Sequence, residues 1–196
     1  MRIFEKIILR PYTDVDSQDG INTEQFLEAT EGLINMFDMF NSSAFLVVQN
    51  DMKNNAQKIN KRYIKSPTEN KSLESLMKNE ASLKTRPATE AILWLKRGLE
   101  FTGQSLMHSL THPDEELTVS FMQAYDKTLR PYHSFIIRPL FNLAMNACPW
   151  RKDFYKSIDV TDEESVEKMK EWLNGLSGII DQLNRVFDEH PEYTKH

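Results

Sequence analysis

The chain of 196 residues carries 40% hydrophobic and 27% charged residues, an ordinary balance for one domain, residues 1–196, with enough length to bury a full core. Its net charge of -5 argues against a nucleic-acid partner, which would favour a basic patch, and leaves room for local basic contacts with a membrane surface. No stretch approaches eighteen uninterrupted apolar residues, so no bilayer-spanning helix is expected, and one cysteine, Cys148, rules out an internal disulfide framework.

Residues 1–10 are apolar but broken by Arg2, Glu5, Lys6 and Arg10, a pattern that fails as a secretory signal and predicts a cytoplasmic, membrane-peripheral protein. Only six glycines and eight prolines punctuate the chain, and most segments between them repeat their apolar residues at helical spacing. After a turn at Ser17-Gln18-Asp19-Gly20, Asn22 or Thr23 can cap a helix with Phe26, Leu33, Phe37 and Phe40 along one side. Asn41-Ser42-Ser43 is expected to break it and cap the next. Phe45-Leu46-Val47-Val48 reads as a strand in isolation, but continuity with the polar helix that follows favours helix.

Ser66-Pro67 ends that element, and a short helix covers residues 72–80. Thr85-Arg86-Pro87 opens a long helix running to about His108, with proline tolerated in the first turn. Residues 117–147 read as helix, broken at Arg130-Pro131 and bent at Pro139. Thr161-Asp162-Glu163-Glu164 has the form of a capping box and opens a last helix through Met169, Trp172, Leu173, Leu176, Ile179 and Ile180 to about Phe187.

Three places could carry chemistry. Asp51, Asn55 and Lys58 stand at i, i+4 and i+7, which puts them within about 60° of arc along roughly 10 Å of helix axis. An anionic acceptor, an amide that both donates and accepts, and a flexible cation make a mixed set suited to a ring of neutral hydroxyls. The same stripe could equally be a solvated helix face. Trp94 stands one turn from Gly98, a spacing that predicts open space beside the indole, and a flat aromatic face can stack on the C–H side of a sugar ring. His133 follows Tyr132 near the start of the segment after Pro131; a neutral imidazole there can donate and accept at an amide junction, or can be a satisfied structural histidine.

Other constellations point away from catalysis. His108 and His112 have the i, i+4 spacing of a zinc pair, yet no glutamate follows the first histidine and no third ligand is evident, so no metal is expected. Their placement suits a helix C-terminus before Pro113. The chain has no phosphate-cradling glycine loop, no Gly-x-Ser-x-Gly elbow and no motif pairing cysteine with histidine. Cys148 reads as a small buried apolar side chain. The expectation is a protein that is not an enzyme and needs no cofactor.

Asp51, Asn55 and Lys58, the run 91–101 with its Trp-Leu-Lys-Arg-Gly-Leu core, and Tyr132-His133 together resemble the glycolipid transfer protein family. The similarity covers about residues 26–158, with a weaker echo at Tyr193. It implies an all-α, two-layer helical sandwich of about eight helices that opens around lipid chains. It also implies roles: Trp94 stacks on the first sugar, Asn55 and Lys58 bond sugar hydroxyls, Asp51 takes the ceramide amide N–H and a sugar hydroxyl, and His133 bonds the amide carbonyl. Candidates to line the chain pocket are Phe37, Leu46, Ile92, Leu95, Phe101, Ile136, Phe141 and Leu143. Family members commonly place an interfacial tryptophan two residues after the histidine; here that position is Phe135, and Trp150-Arg151-Lys152 offers a second candidate for membrane contact.

Relatives that carry phosphorylated ceramide have basic residues at the positions of Asn55 and Trp94, because phosphate favours charge-assisted donors. This chain keeps the amide and the indole, which favours neutral glycosphingolipids over ceramide phosphate. The expected partners are a glycosphingolipid and, transiently, a membrane surface, with the chain a monomer. Intermembrane transfer is the function implied; a glycolipid sensor would need the same pocket.

Overall fold

The computed structural model describes residues 2–195. Among them the chain forms nine α-helices and four short 3-10 turns, and its extended pairing is confined to one antiparallel bridge, Asn22 to Ser72. Periodicity reveals seven of the helices. The other two, α1 (Ile3–Ile7) and α8 (Arg151–Ser157), run for less than two turns, too short for a helical repeat to show.

Helix α2 (Thr23–Met36) starts at Asn22, whose side chain accepts from the Gln25 N–H. It stops short of Phe40. Residues Phe37–Phe40 tighten into a 3-10 turn, and Asn41 takes a left-handed φ of 48°, a conformation asparagine tolerates better than most residues. The Asn41-Ser42-Ser43 break therefore stands, but it caps nothing: a second 3-10 turn, Ser43–Phe45, leads into α3 (Leu46–Tyr63) without a side-chain cap. Ser72 and Ser75 form a reciprocal capping box for α4 (Leu73–Glu80).

The long helix α5 (Pro87–Thr111) is the centre of the sandwich. Its first turn is held by the buried Glu80 carboxylate, which accepts from the N–H groups of Ala88 and Thr89 at 3.1 and 2.8 Å and from the Thr89 hydroxyl at 3.0 Å. Ile92, Leu95, Leu99, Phe101 and Leu106 along it are fully buried, because α3, α6 (Leu117–Thr128) and α9 (Glu163–Glu189) pack around it. Helix α7 (Arg138–Asn146) packs on α3 and α6.

The stretch expected to be helical between Pro131 and Pro139 is not. Residues 129–137 form successive turns, and Pro139 sits in the first turn of α7, where its missing N–H costs nothing, so it starts a helix and does not bend one. Asp162, not Thr161, caps α9: its carboxylate accepts from Ser165 N–H while Ser165 Oγ accepts from Asp162 N–H. The apolar centre is aromatic. Phe40 stands 4.5 Å from Phe45, 4.8 Å from Phe154 and 5.3 Å from Phe121 between ring centres, and Phe101 meets Phe121 at 5.6 Å. Each such ring contributes roughly 1.5–3 kcal/mol by leaving water, which is what closes the helices on one another.

Candidate lipid head-group site

Helices α3 and α5 bring the first two candidate groups together. The Met52 side chain of α3 lies against Gly98 of α5, while Lys58 and Lys61 border a groove with Thr85 and Pro87 at the start of α5. The two helices therefore run antiparallel. Asn55, about 4.5 Å along α3 from Met52, comes level with Trp94, about 6 Å back along α5 from Gly98. The close approach is what Gly98 provides: a Cβ there would stand 3.4 Å from Met52 Cγ. The open space expected beside the Trp94 indole is thus filled by Met52 on the side of Gly98.

The polar stripe is not evenly exposed. Asp51 and Lys58 face water, whereas Asn55 is 5% exposed and turns its amide back to Asp51, donating to the backbone carbonyl at 3.0 Å and to the carboxylate at 3.4 Å. Protein atoms around the Asp51 carboxyl disfavour its charge and push its pKa above the ordinary value, with Lys58 pulling it partly back.

His133 reaches the same place from the α6–α7 turn. Its ring lies 5.8 Å from the Trp94 ring at an interplanar angle of 23°, and 4.4 Å from Phe141. The backbone is pinned by Arg138, whose Nε donates to the His133 carbonyl at 3.0 Å. Burial, and then the charges of Arg138 and Arg97, hold the His133 pKa down to about 4, so the ring is neutral at pH 7. Nδ1 stands 3.2 Å from the Tyr125 hydroxyl, and burial keeps that phenol protonated. In the tautomer in which Tyr125 donates to Nδ1, Nε2 carries the proton and is the donor.

Three residues of this cluster escape a reading of the sequence alone: Arg97, Tyr125 and Arg138. Arg97 lies inside the Trp-Leu-Lys-Arg-Gly-Leu run, where it reads as an ordinary helix-surface cation. Its guanidinium carbon stands 3.5 Å from the centre of the Tyr132 ring and 4.9 Å from that of Trp94. Tyr125 and Arg138 carry no local signal, since their partners in the site come from other elements. Tyr193 is buried in the 3-10 turn Pro191–Thr194, tied by Arg86, just before α5, to the carbonyls of Glu192 and Lys195 at 2.8 and 2.6 Å.

The chain-lining candidates divide. Phe37, Ile92, Leu95, Phe101 and Phe141 lie in the core, all at 4% exposure or less, and Phe141 links the core to His133. Leu46, Ile136 and Leu143 instead face solvent. Phe135, at 80% exposure, and Ile136 stand on the α6–α7 turn, Leu140 and Leu143 continue along the outer side of α7, and Trp150, at 70%, stands just before α8. Elsewhere, the His108 and His112 rings stack at 4.0 Å, with His108 Nδ1 on the Ser120 hydroxyl and His112 Nδ1 on the His108 carbonyl. No group of three or more metal-ligating side chains gathers among the described residues, and none of their helices is long and apolar enough to cross a membrane. Burial pushes the Cys148 thiol up to about 12, which leaves it a poor nucleophile.

An all-helical sandwich that sets a polar and aromatic cluster at its surface, backed by an interior of phenylalanine, leucine and isoleucine, defines a binder of amphipathic lipids. The glycolipid transfer protein family model matches residues 21–160. A glycolipid transfer protein of Aureobasidium melanogenum is 44% identical over 183 residues, covering 92% of this chain and 90% of that one. The crystal structure of HET-C2, a fungal glycolipid transfer protein, superposes with a TM-score of 0.91 at 39% identity, covering 98% of this chain and 100% of the other. The chain belongs to the glycolipid transfer protein family. The mouse ceramide-1-phosphate transfer protein shares the fold, with a TM-score of 0.85 over 98% of each chain, but only 22% identity. The fold by itself thus does not choose between sugar and phosphate heads; side chains must.

Proposed function

We propose that this chain carries glycosphingolipids between membranes, binding the sugar–ceramide head at Asp51, Asn55, Lys58, Trp94 and His133 and housing the hydrocarbon chains in the helical interior. The observation that carries the reading is the Trp94–His133 pair, 5.8 Å apart between ring centres, with Trp94 on the helix that packs against α3, which carries the buried Asn55 and its partner Asp51. A flat ring for a sugar and a neutral ring for an amide then stand side by side. Trp94 stacks on the first sugar, Asn55 and Lys58 bond its hydroxyls, Asp51 accepts from the ceramide amide N–H, and the Nε2–H of His133 donates to the amide carbonyl. Each of these bonds is worth about 1–3 kcal/mol when the groups would otherwise be left unpaired.

Transfer follows from the cost of the alternative. Each methylene moved into water costs about 0.8 kcal/mol, so exposing a two-chain sphingolipid of roughly thirty methylenes costs on the order of 20 kcal/mol. An apolar interior offered at the membrane surface replaces that barrier by a direct hand-over, with no covalent step. Phe141, in contact with His133 and with the Tyr125 ring, stands where the head site meets the interior, and the packed chain-lining residues Phe37, Ile92, Leu95 and Phe101 part to admit the chains. Phe135, Ile136, Leu143 and Trp150 form the membrane-facing side, by which the protein acts peripherally at a membrane surface.

Ceramide phosphate is the second reading, and Arg97 beside Trp94 is the observation that favours it. Movement of labelled galactosylceramide and ceramide phosphate between vesicles, with the parent chain and Trp94→Ala, separates the two. Fast transfer of the sugar lipid that Trp94→Ala abolishes is expected; preference for the phosphate lipid would overturn the assignment of Asn55 and Trp94.

A further inference from the structure

The glycolipid reading leaves one cation of the site without a role. Arg97 is half-buried, sets its guanidinium over two aromatic rings, and makes no ion pair to a carboxylate among the described residues. Nearby cations are differently committed: Lys96 reaches Asn184 at 2.7 Å and Glu100 at 3.4 Å, and Arg138 pins the His133 carbonyl. A guanidinium whose carbon stands 3.5 Å from the centre of the Tyr132 ring is held by the ring quadrupole.

The two rings that Arg97 joins belong to different parts of the fold. Trp94 is on α5, the helix on which α3, α6 and α9 pack. Tyr132 is 53% exposed on the α6–α7 turn, three residues before Phe135. Stacking between Trp94 and His133 connects the same two elements by a second, shorter-lever route, and His133 is the neighbour of Tyr132 in the chain.

We propose that Arg97 is a positioning residue for glycolipid recognition: clamped between Trp94 and Tyr132, it fixes the indole against the α6–α7 turn in the orientation that receives the sugar. The inference rests on the reading of Trp94 as the sugar platform. Tyr132 then contributes to head-group affinity through Arg97 and not through the lipid. The clamp also ties the sugar platform to the turn that carries Phe135, so a displaced Tyr132 loosens the platform from the membrane-facing side.

The test uses a short-chain galactosylceramide dispersed in water without vesicles, so that docking plays no part, with affinity read from tryptophan fluorescence and folding from thermal unfolding. Because Tyr132 is half-exposed, Tyr132→Ala should unfold at the parent's temperature. Tyr132→Ala and Arg97→Gln are each expected to weaken binding about tenfold, the scale of one partly desolvated cation–aromatic contact. Tyr132→Phe keeps the aromatic face and is expected to bind within about twofold of the parent, whereas a role for the hydroxyl would make it resemble Tyr132→Ala. The double variant Arg97→Gln/Tyr132→Ala should lose no more than either single change, because both remove one clamp. Parental affinity in a folded Tyr132→Ala, or losses that add in the double variant, would overturn the proposal. Failure of the parent chain itself to bind would overturn the glycolipid reading and this proposal with it.

Discussion

Met52 bounds the space beside Gly98: its Cγ lies 3.4 Å from where a Cβ on Gly98 would stand. This contact sets the distance between α3 and α5, and with it the separation of the Asp51–Asn55 pair from Trp94. A single methyl at Gly98 meets Met52 at ordinary van der Waals distance, and alanine is the better helix former by about 1 kcal/mol, so Gly98→Ala should match the parent in stability to within about 1 kcal/mol. A branched side chain has no such room. Gly98→Val should cost about 1–3 kcal/mol in denaturant unfolding and weaken glycolipid binding by prising the two helices apart.

Acid should act through His133. Its folded pKa, about 4, lies below the ordinary value of 6.5, with burial as the main cause and Arg138 and Arg97 adding to it. Over that interval the unfolded chain takes up a proton that the folded chain refuses, so stability falls as pH drops from 6.5 towards 4. Replacing the ring by Gln removes this contribution. Unfolding curves of His133→Gln should therefore depend less on pH within that window than those of the parent; equal dependence would show that the histidine titrates normally. Between pH 7 and 8, where His133 is neutral, its hydrogen bond to a lipid should be unaffected by pH.

Glu80 holds the first turn of the central helix by three hydrogen bonds from Ala88 and Thr89, and it is only 1% exposed. Glu80→Leu would leave those donors buried without partners. A loss of about 3 kcal/mol or more in unfolding free energy is expected, with Glu80→Gln retaining part of it. An unchanged midpoint for Glu80→Leu would mean that water replaces the carboxylate without cost.

Phe135 should matter for docking and not for recognition. Its ring is 80% exposed, so truncation removes little packing. Phe135→Ala should reduce adsorption to glycolipid-free vesicles about tenfold, the equivalent of forfeiting part of one buried ring, while leaving binding of water-dispersed short-chain glycolipid at the parental level. Phe135→Trp should adsorb more strongly, since indole favours the interface. Loss of soluble binding in Phe135→Ala would instead place the residue in the head site.

How much could be read before the fold was known varies from residue to residue. The helical class, the ends of α4 and α5, and the capping signal ahead of α9 are local matters: caps, prolines and the 3.6-residue repeat act over a few neighbours, so they are written in a few neighbours. The same repeat placed Asp51, Asn55 and Lys58 on one side of α3. It could not say that Asn55 would be buried and its companions exposed, because burial depends on what covers the stripe, and α5 lies more than twenty residues further along.

Gly98 shows the limit most clearly. Its chain neighbours suggest room beside Trp94, and only the packing of α3 reveals that Met52 takes that room. Likewise, the segment after Pro131 that carries His133 reads as helix, yet the turn wins: prolines at 131 and 139 bracket it, and Arg138 closes it on the His133 carbonyl. By itself the sequence determined seven of the helices, the starts of α2, α4 and α5, and the set of side chains available for a sugar and an amide. Tertiary structure alone decided which of them meet, which are desolvated and that Arg97 stands between Trp94 and Tyr132, because contacts between distant segments arise from the joint packing of whole helices and leave no trace in local spacing.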